Sequence, residues 1–208
     1  MAGSRSETSS GLIGWTARVT RWASWALLLT PLTLVLHEAG HLLAGLVFGL
    51  PGLELHFSHV SHGSVADRSA LVLSTVGFTG PLVTIALALA GMVWILFRGP
   101  SVWAFALVAA AASRLALAAP YTILAALARF RGQRFPPHGF DEYRAAEAMG
   151  WSGLSALGVT TAFVATVLVW LAVRLPRGER FTAWIGLLLG VVLGWVLWIG
   201  FLGPILLP

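Results

Sequence analysis

Residues 22–50 read WASWALLLTPLTLVLHEAGHLLAGLVFGL, an apolar stretch that is interrupted by His-Glu-Ala-Gly-His at positions 37–41. The stretch is long enough to cross the hydrocarbon core of a bilayer, which needs about 20 residues of helix. A carboxylate and two imidazoles are expensive to bury at that depth, and ionisable groups within a membrane span are functional by default. The stretch therefore predicts both a membrane helix and a chemical site on that helix.

The composition of the whole chain extends this prediction to a polytopic membrane protein. Of the 208 residues, 58% are hydrophobic and 10% are charged. Four further apolar blocks, each long enough to cross a membrane, lie at about 69–97, 102–128, 151–173 and 181–206. We therefore expect an all-α integral membrane protein with about five transmembrane helices.

The segment after the first predicted span has the alternating pattern of a β-strand. Leu53, Leu55 and Phe57 alternate with polar residues, and Gly49 and Pro51 end the preceding helix. We expect a short β-hairpin there, at the membrane interface or packed against protein, because unpaired strand edges are not tolerated in hydrocarbon. The chain then divides into a polar N-terminal segment at 1–21, a membrane core of three spans and a loop at 22–150, and two C-terminal helices at 151–208.

The basic residues and the missing cysteines narrow the chemistry. All 13 basic residues are Arg, and they are scattered over loop ends, which indicates membrane-flanking anchors and argues against nucleic-acid binding. Without Cys, the chain has neither disulfides nor thiolate ligands. Any metal site must use His and carboxylate ligands, a set that suits a catalytic site better than a closed structural site.

The pentad at 37–41 matches the HExxH pattern of zinc hydrolases. On a helix, His37 and His41 project about 40° apart, so both imidazoles can reach one ion. Glu38 is rotated by about 100° from His37 and can touch a water on the metal without binding the metal itself. Zinc lowers the pKa of its water towards about 7, and Glu38 would accept the proton as general base during attack on a peptide carbonyl. We expect one Zn²⁺ per chain and hydrolytic chemistry.

A catalytic zinc also needs a third protein ligand, and spacing alone does not choose it. The candidates are His56, His59, His62, Asp67, His138, Asp141, Glu142 and Glu147. The first three form an HxxHxxH pattern that would hold a second metal only on a helix, whereas the alternation predicts a strand, so we interpret them as hydrogen-bonding or pH-responsive histidines. Asp141 lies in the polar region at 129–150 and is expected at the start of a short helix.

The pentad, the strand-forming loop and the run Gly-Phe-Thr-Gly-Pro-Leu at 77–82 together resemble the site-2 protease family, above all its small members without a PDZ domain. The similarity covers roughly residues 30–150. It implies an intramembrane zinc metalloprotease in a bacterial or archaeal cell membrane, with a membrane-embedded protein as its substrate. It also implies Asp141, which follows Phe140, as the third zinc ligand.

The chain departs from this family in two ways. It has no Asn, which the family often places after its Gly-Pro element and before its Asp. Oxyanion or substrate contacts would then come from Arg114, Ser113, Thr84 or Tyr121. Arg114, the one basic residue deep within a predicted span, could stabilise an oxyanion or pair with a buried carboxylate. In addition, about 20 residues separate Pro120 from the expected ligand Asp141, where family members with the compact motif have only a few, so Glu142 and Glu147 stay as alternatives.

Two other functions fit part of the pattern. The segment DEYRAA at 141–146 faintly resembles the third-ligand helix of HExxH membrane proteases that act on prenylated or heat-damaged proteins, which would make Glu142 a ligand. Those enzymes place the pentad helix outside the bilayer, whereas this pentad is apolar on both sides. A non-proteolytic metal-binding protein such as a transporter would show paired repeats and several polar residues along a path. Glu38 is the only carboxylate in the predicted spans, which favours the protease.

Overall fold

The computed structural model describes residues 5–64, 67–133 and 140–208, with side chains from Ile13 onwards. Long helices dominate this part of the chain, and two short strands lie between the first two of them. The elements are α1 (Arg5–Val47), β1 (Glu54–Leu55), β2 (Val60–Ser61), α2 (Ala70–Arg98), α3 (Val102–Ala116), α4 (Ala118–Phe130), α5 (Asp141–Ala148), α6 (Gly153–Arg174), α7 (Arg180–Leu197), a π-helix (Trp198–Leu202) and α8 (Gly203–Leu206).

Five helical stretches in the described part of the chain are long and apolar enough to cross a membrane. They are Ile13–Val47, Ala70–Arg98, Val102–Phe130, Gly153–Arg174 and Arg180–Leu206. Their outer faces expose many Leu, Val, Ile and Phe side chains, a surface that suits lipid rather than water. The expected all-α polytopic architecture is therefore confirmed.

Two spans show features that the sequence-based description does not include. The first helix begins at Arg5, so the segment predicted as separate and polar continues into the first span from that residue onwards. The third span consists of two helices, α3 and α4, which meet at Leu117. Pro120 has no N–H to donate to the carbonyl of Ala116 four residues earlier, which explains why the first of these helices ends there.

Helix α1 forms the centre of the fold and packs against α7, α2 and α3. Glycines at four-residue spacing on α7 allow the closest of these approaches. A Cβ on Gly186 would lie 2.5 Å from the Cβ of Trp22, and a Cβ on Gly194 would lie 2.7 Å from the Cβ of Thr30. Small residues let the two helix backbones meet, which is how helices associate in a membrane, where lipid is as apolar as their side chains.

The predicted hairpin is present and is packed against the C-terminal helices. Strands β1 and β2 pair antiparallel, with Glu54 opposite Ser61. In the connecting turn, the N–H of Phe57 donates to the carbonyl of Leu207 at 3.1 Å. The indole Nε1 of Trp198 donates to the carbonyl of Phe57 at 2.8 Å. These bonds supply partners for backbone groups of the turn, as a membrane environment requires.

The short helix α5 packs between α2 and α6. A Cβ on Gly77 of α2 would lie 3.0 Å from the Cβ of Ala145, and a Cβ on Gly153 of α6 would lie 2.5 Å from the ring of Tyr143. The two glycines thus let α5 approach both neighbours closely. Asp141, the first residue of α5, is carried by this packing to the pentad on α1.

Candidate metal centre

Two imidazoles on one face of α1 form the base of the site. His37 and His41 are one helical turn apart, and their Nε2 atoms are 3.3 Å from each other. Both residues are buried, with 1% and 7% of their surface exposed. Helical spacing has therefore brought the two nitrogens within reach of a single ion.

Asp141 completes a group of three possible ligands. Its Oδ2 lies 3.2 Å from Nε2 of His37 and 3.3 Å from Nε2 of His41. Among the described residues, this is the one set of three or more His, Asp or Glu side chains whose ligand atoms converge closely enough to hold an ion. The separations match the roughly 3.3–3.4 Å between neighbouring ligands of a tetrahedral ion with bonds of about 2.0–2.1 Å.

Hydrogen bonds on the far side of each ring assign its tautomer. Nδ1 of His41 lies 2.7 Å from the carbonyl oxygen of Val76, which can only accept, so this nitrogen carries a proton. Nδ1 of His37 lies 2.7 Å from the hydroxyl of Thr84, which donates its own proton to the carbonyl of Gly80 at 3.2 Å and so accepts from the ring. In neutral rings of this tautomer both Nε2 lone pairs face the carboxylate, and a cation between the three atoms would remove their mutual repulsion.

Gly80 provides the space in which the imidazoles meet. A Cβ at this position would overlap Nε2 of His41 and lie 2.7 Å from Nε2 of His37. Such overlap leaves no room for a larger side chain while the two rings keep these positions. The second glycine of the run at 77–82 is thus required by the ligand atoms themselves, whereas the first is required by the packing of α5.

Arg114 holds the carboxylate of Asp141 from the other side. Its Nη2 lies 3.2 Å from the same Oδ2 that faces the two imidazoles. Burial alone would raise the pKa of Asp141, but the adjacent imidazoles of His37 and His41 and the charge of Arg114 hold this pKa well below its usual range. Asp141 is therefore kept in the anionic form in which a carboxylate can bind a metal.

A cavity of about 500 Å³ opens beside these ligands. Glu38, which is 5% exposed, lines this cavity together with His41 and Asp141. The hairpin contributes to the opposite wall. The other charged or polar side chains that line the cavity are Ser58, His59, His62, Arg114 and Arg144. Glu38, two of the three candidate ligands and the hairpin thus face one shared space.

The four residues considered for oxyanion or substrate contacts occupy different places. Arg114 lines the cavity. The hydroxyl of Thr84 already accepts a hydrogen bond from Nδ1 of His37. Ser113 accepts a hydrogen bond from the indole Nε1 of Trp195 at 3.0 Å and lines a separate apolar cavity of about 460 Å³ between α3, α6 and α7. The ring of Tyr121 packs on Phe140, with centroids 4.5 Å apart.

The alternative acidic ligands lie outside the convergent group. Glu142 is buried, and burial, followed by the nearby charge of Asp141, raises its pKa above the usual value. Oε1 of Glu147 accepts a hydrogen bond from the N–H of Gly153 at 3.0 Å. Neither residue shares an ion-binding position with the pentad histidines. The candidate His138 lies outside the described residues.

The histidines of the hairpin are engaged with one another and with nearby polar groups. The rings of His56 and His59 stack at a centroid distance of 4.6 Å. Nε2 of His56 lies 3.1 Å from the hydroxyl of Ser61, and Nδ1 of His62 donates to the carbonyl of Gly63 at 3.0 Å. These contacts agree with a hydrogen-bonding role, and the described part of the chain holds no second convergent ligand set.

Two contributors to the site escaped sequence reasoning. The carbonyl of Val76 orients His41, but every residue carries a carbonyl, so no sequence signal marks this one. Arg144 lines the cavity one helical turn after Asp141, and that spacing of three was a signal that could have been used.

No family model, no curated protein and no solved structure matches this chain.

Proposed function

We propose that this protein is an intramembrane zinc metalloprotease similar to the site-2 protease family, located in a bacterial or archaeal cell membrane. The observation that carries the proposal is the convergence of His37, His41 and Asp141 next to Glu38, on a helix that is long and apolar enough to cross a membrane. Glu38 lies about 14 Å along α1 from its end at Val47, at a rise of ~1.5 Å per residue. That depth supports chemistry within the bilayer.

Each side chain has a defined task in the proposed reaction. His37, His41 and Asp141 would hold zinc, which supplies a Lewis acid and lowers the pKa of water towards about 7. Glu38 accepts the proton of the attacking water and passes it to the nitrogen of the leaving amine. Thr84 keeps the ring of His37 in the tautomer that leaves Nε2 free.

The cavity and the hairpin support a peptide segment as the substrate. A peptide carbonyl within a transmembrane helix is already hydrogen-bonded, so the substrate must unwind before hydrolysis. An unwound segment could pair with an edge of the hairpin, whose residues Ser58, His59 and Val60 line the same cavity as Glu38. We therefore propose a membrane-embedded protein as the substrate, cleaved within or beside its transmembrane helix.

Matched variants test the proposal. We expect the purified protein to contain one zinc ion and to cleave a helical membrane substrate. Glu38→Gln should retain zinc and lose cleavage by about 10²-fold to 10⁴-fold, because the general base is removed while the ligands stay. His41→Ala should lose both zinc and cleavage. Glu147→Gln, which keeps the oxygen that accepts from Gly153, is the matched control and should retain both.

Two outcomes would contradict the proposal. Undiminished cleavage by Glu38→Gln would refute the assigned mechanism. Zinc in the wild-type protein without cleavage, together with metal flux that depends on His37 and His41, would identify a metal-binding membrane protein of another kind.

A further inference from the structure

Arg144 is a second cation in the cavity, and its environment differs from that of Arg114. Both arginines line the cavity that Glu38 and His41 also line. Arg114 is paired with Asp141 at 3.2 Å. Arg144 is exposed, and within the described part of the chain no carboxylate lies within ion-pair distance of it. Arg114 is thus paired with Asp141, whereas Arg144 is available to a molecule that enters the cavity.

The charge balance of the cavity favours an anionic guest. The two carboxylates that line it, Glu38 and Asp141, are offset by Arg114 and Arg144. A divalent cation on the ligand set therefore leaves this space with a net positive charge. Apolar walls of low dielectric constant, including Leu50, strengthen the field of these charges.

Helix geometry limits how far from the ligands this guest can lie. Arg144 follows Asp141 by three residues on α5, which places their Cβ atoms about 5–6 Å apart on one face. An extended peptide advances about 3.3 Å per residue. A substrate group that reaches Arg144 is therefore within about one to three residues of a peptide bond held at the ligand set.

We propose that Arg144 selects substrates by binding a carboxylate close to the scissile bond. A guanidinium offers two parallel N–H donors that match the two oxygens of a carboxylate. The carboxylate can be the side chain of an Asp or Glu residue in the unwound segment, or the free C-terminus of a peptide left by an earlier cleavage. This inference rests on the proposed protease function and specifies the substrate that it takes.

Binding to an inactive variant tests the inference without requiring turnover. The zinc-loaded Glu38→Gln protein is titrated in detergent with fluorescent peptides of one membrane-spanning sequence. The peptides differ in the position of a single Asp, and each has a counterpart with Asn at that position. Every peptide is made in two forms, one with a free and one with an amidated C-terminus. We expect the peptides with a carboxylate at one position to bind about 10-fold to 100-fold more tightly, the range for a hydrogen-bonded charge.

Substitution of the arginine identifies its contribution. Adding Arg144→Gln to the inactive protein should abolish the preference for the carboxylate, and Arg144→Lys should retain part of it. Arg131→Gln, which changes an exposed arginine outside the cavity, should leave the preference intact. An Asp-specific preference would identify a side-chain carboxylate, and a preference for the free acid over the amide would identify a C-terminus.

The inference and the proposed function fail in different ways. A preference for the carboxylate that Arg144→Gln leaves unchanged, or equal binding of all peptides, would overturn the inference even where the wild-type protein cleaves them. Binding that depends on Arg144, combined with no cleavage by the zinc-loaded wild-type protein, would support the carboxylate site and refute the protease.

Discussion

Replacing Gly80 with Ala tests whether the imidazoles meet where the structure places them. In the interior of a helix this change normally stabilises a protein by about 0.5–1 kcal/mol. Here the added Cβ would overlap Nε2 of His41 and lie 2.7 Å from Nε2 of His37. Ordinary contact begins at 3.4 Å, so at least one ring must move by about 1 Å, several times the ~0.2 Å tolerance of metal–ligand distances.

The displaced atoms are the far ends of side chains, so the fold can accommodate Gly80→Ala while the metal site cannot. We expect a loss of metal affinity of at least about 10-fold to 100-fold, comparable with the loss of a residue that orients a ligand. Zinc affinity is measured by competition with a chelator, and the stability of the metal-free protein by thermal unfolding. Gly158→Ala on α6, where a Cβ meets nothing within 4 Å, is the control and should keep wild-type zinc affinity. Wild-type zinc affinity in Gly80→Ala would refute this placement of the two rings.

Two further predictions concern the carboxylate of Asp141 and the support of the His37 ring. Asp141→Ala should abolish zinc binding and Glu142→Ala should not, because Oδ2 of Asp141 is the atom that converges with the imidazoles. Zinc content is measured for both variants. The opposite result would favour the class of HExxH membrane protease in which Glu142 is the ligand. Thr84→Val keeps the shape of the side chain but removes the acceptor for Nδ1–H of His37, so zinc affinity should fall by about 10-fold to 100-fold in the chelator competition. Unchanged affinity in Thr84→Val would contradict the assigned tautomer of that ring.

Local geometry explains why half of the site could be predicted from sequence. His37, Glu38 and His41 are neighbours on one helix, and helical spacing alone determines how their side chains project. The five spans follow in the same way from the length of each apolar block. Asp141 is different, because its position depends on how α5 packs against α2 and α6, and that packing depends on contacts that no single segment encodes.

The two glycines of the run at 77–82 show where sequence reasoning stops. Glycines within a helix allow another group to approach the backbone closely, but the sequence pattern does not state which group approaches. In the structure Gly77 meets Ala145 of α5, and Gly80 meets the imidazoles of α1. One motif therefore allows both the close packing of α5, which carries Asp141, and the space in which the two imidazoles meet.

The long separation in sequence between Pro120 and Asp141 does not move Asp141 away from the pentad histidines. Helix α4 continues from Ala118 to Phe130, yet Phe140 packs on Tyr121 near the beginning of that helix, with ring centroids 4.5 Å apart. From Tyr121 to the end of α4 at Phe130 the helix extends about 14 Å, at ~1.5 Å per residue. Phe140 therefore lies back near the beginning of α4. Phe140 and Tyr121 are therefore in contact although most of α4 lies between them in sequence, and Asp141, the residue after Phe140, lies beside the pentad histidines. Tyr121 thus contributes to the candidate site indirectly, because it packs on Phe140, the residue that precedes Asp141.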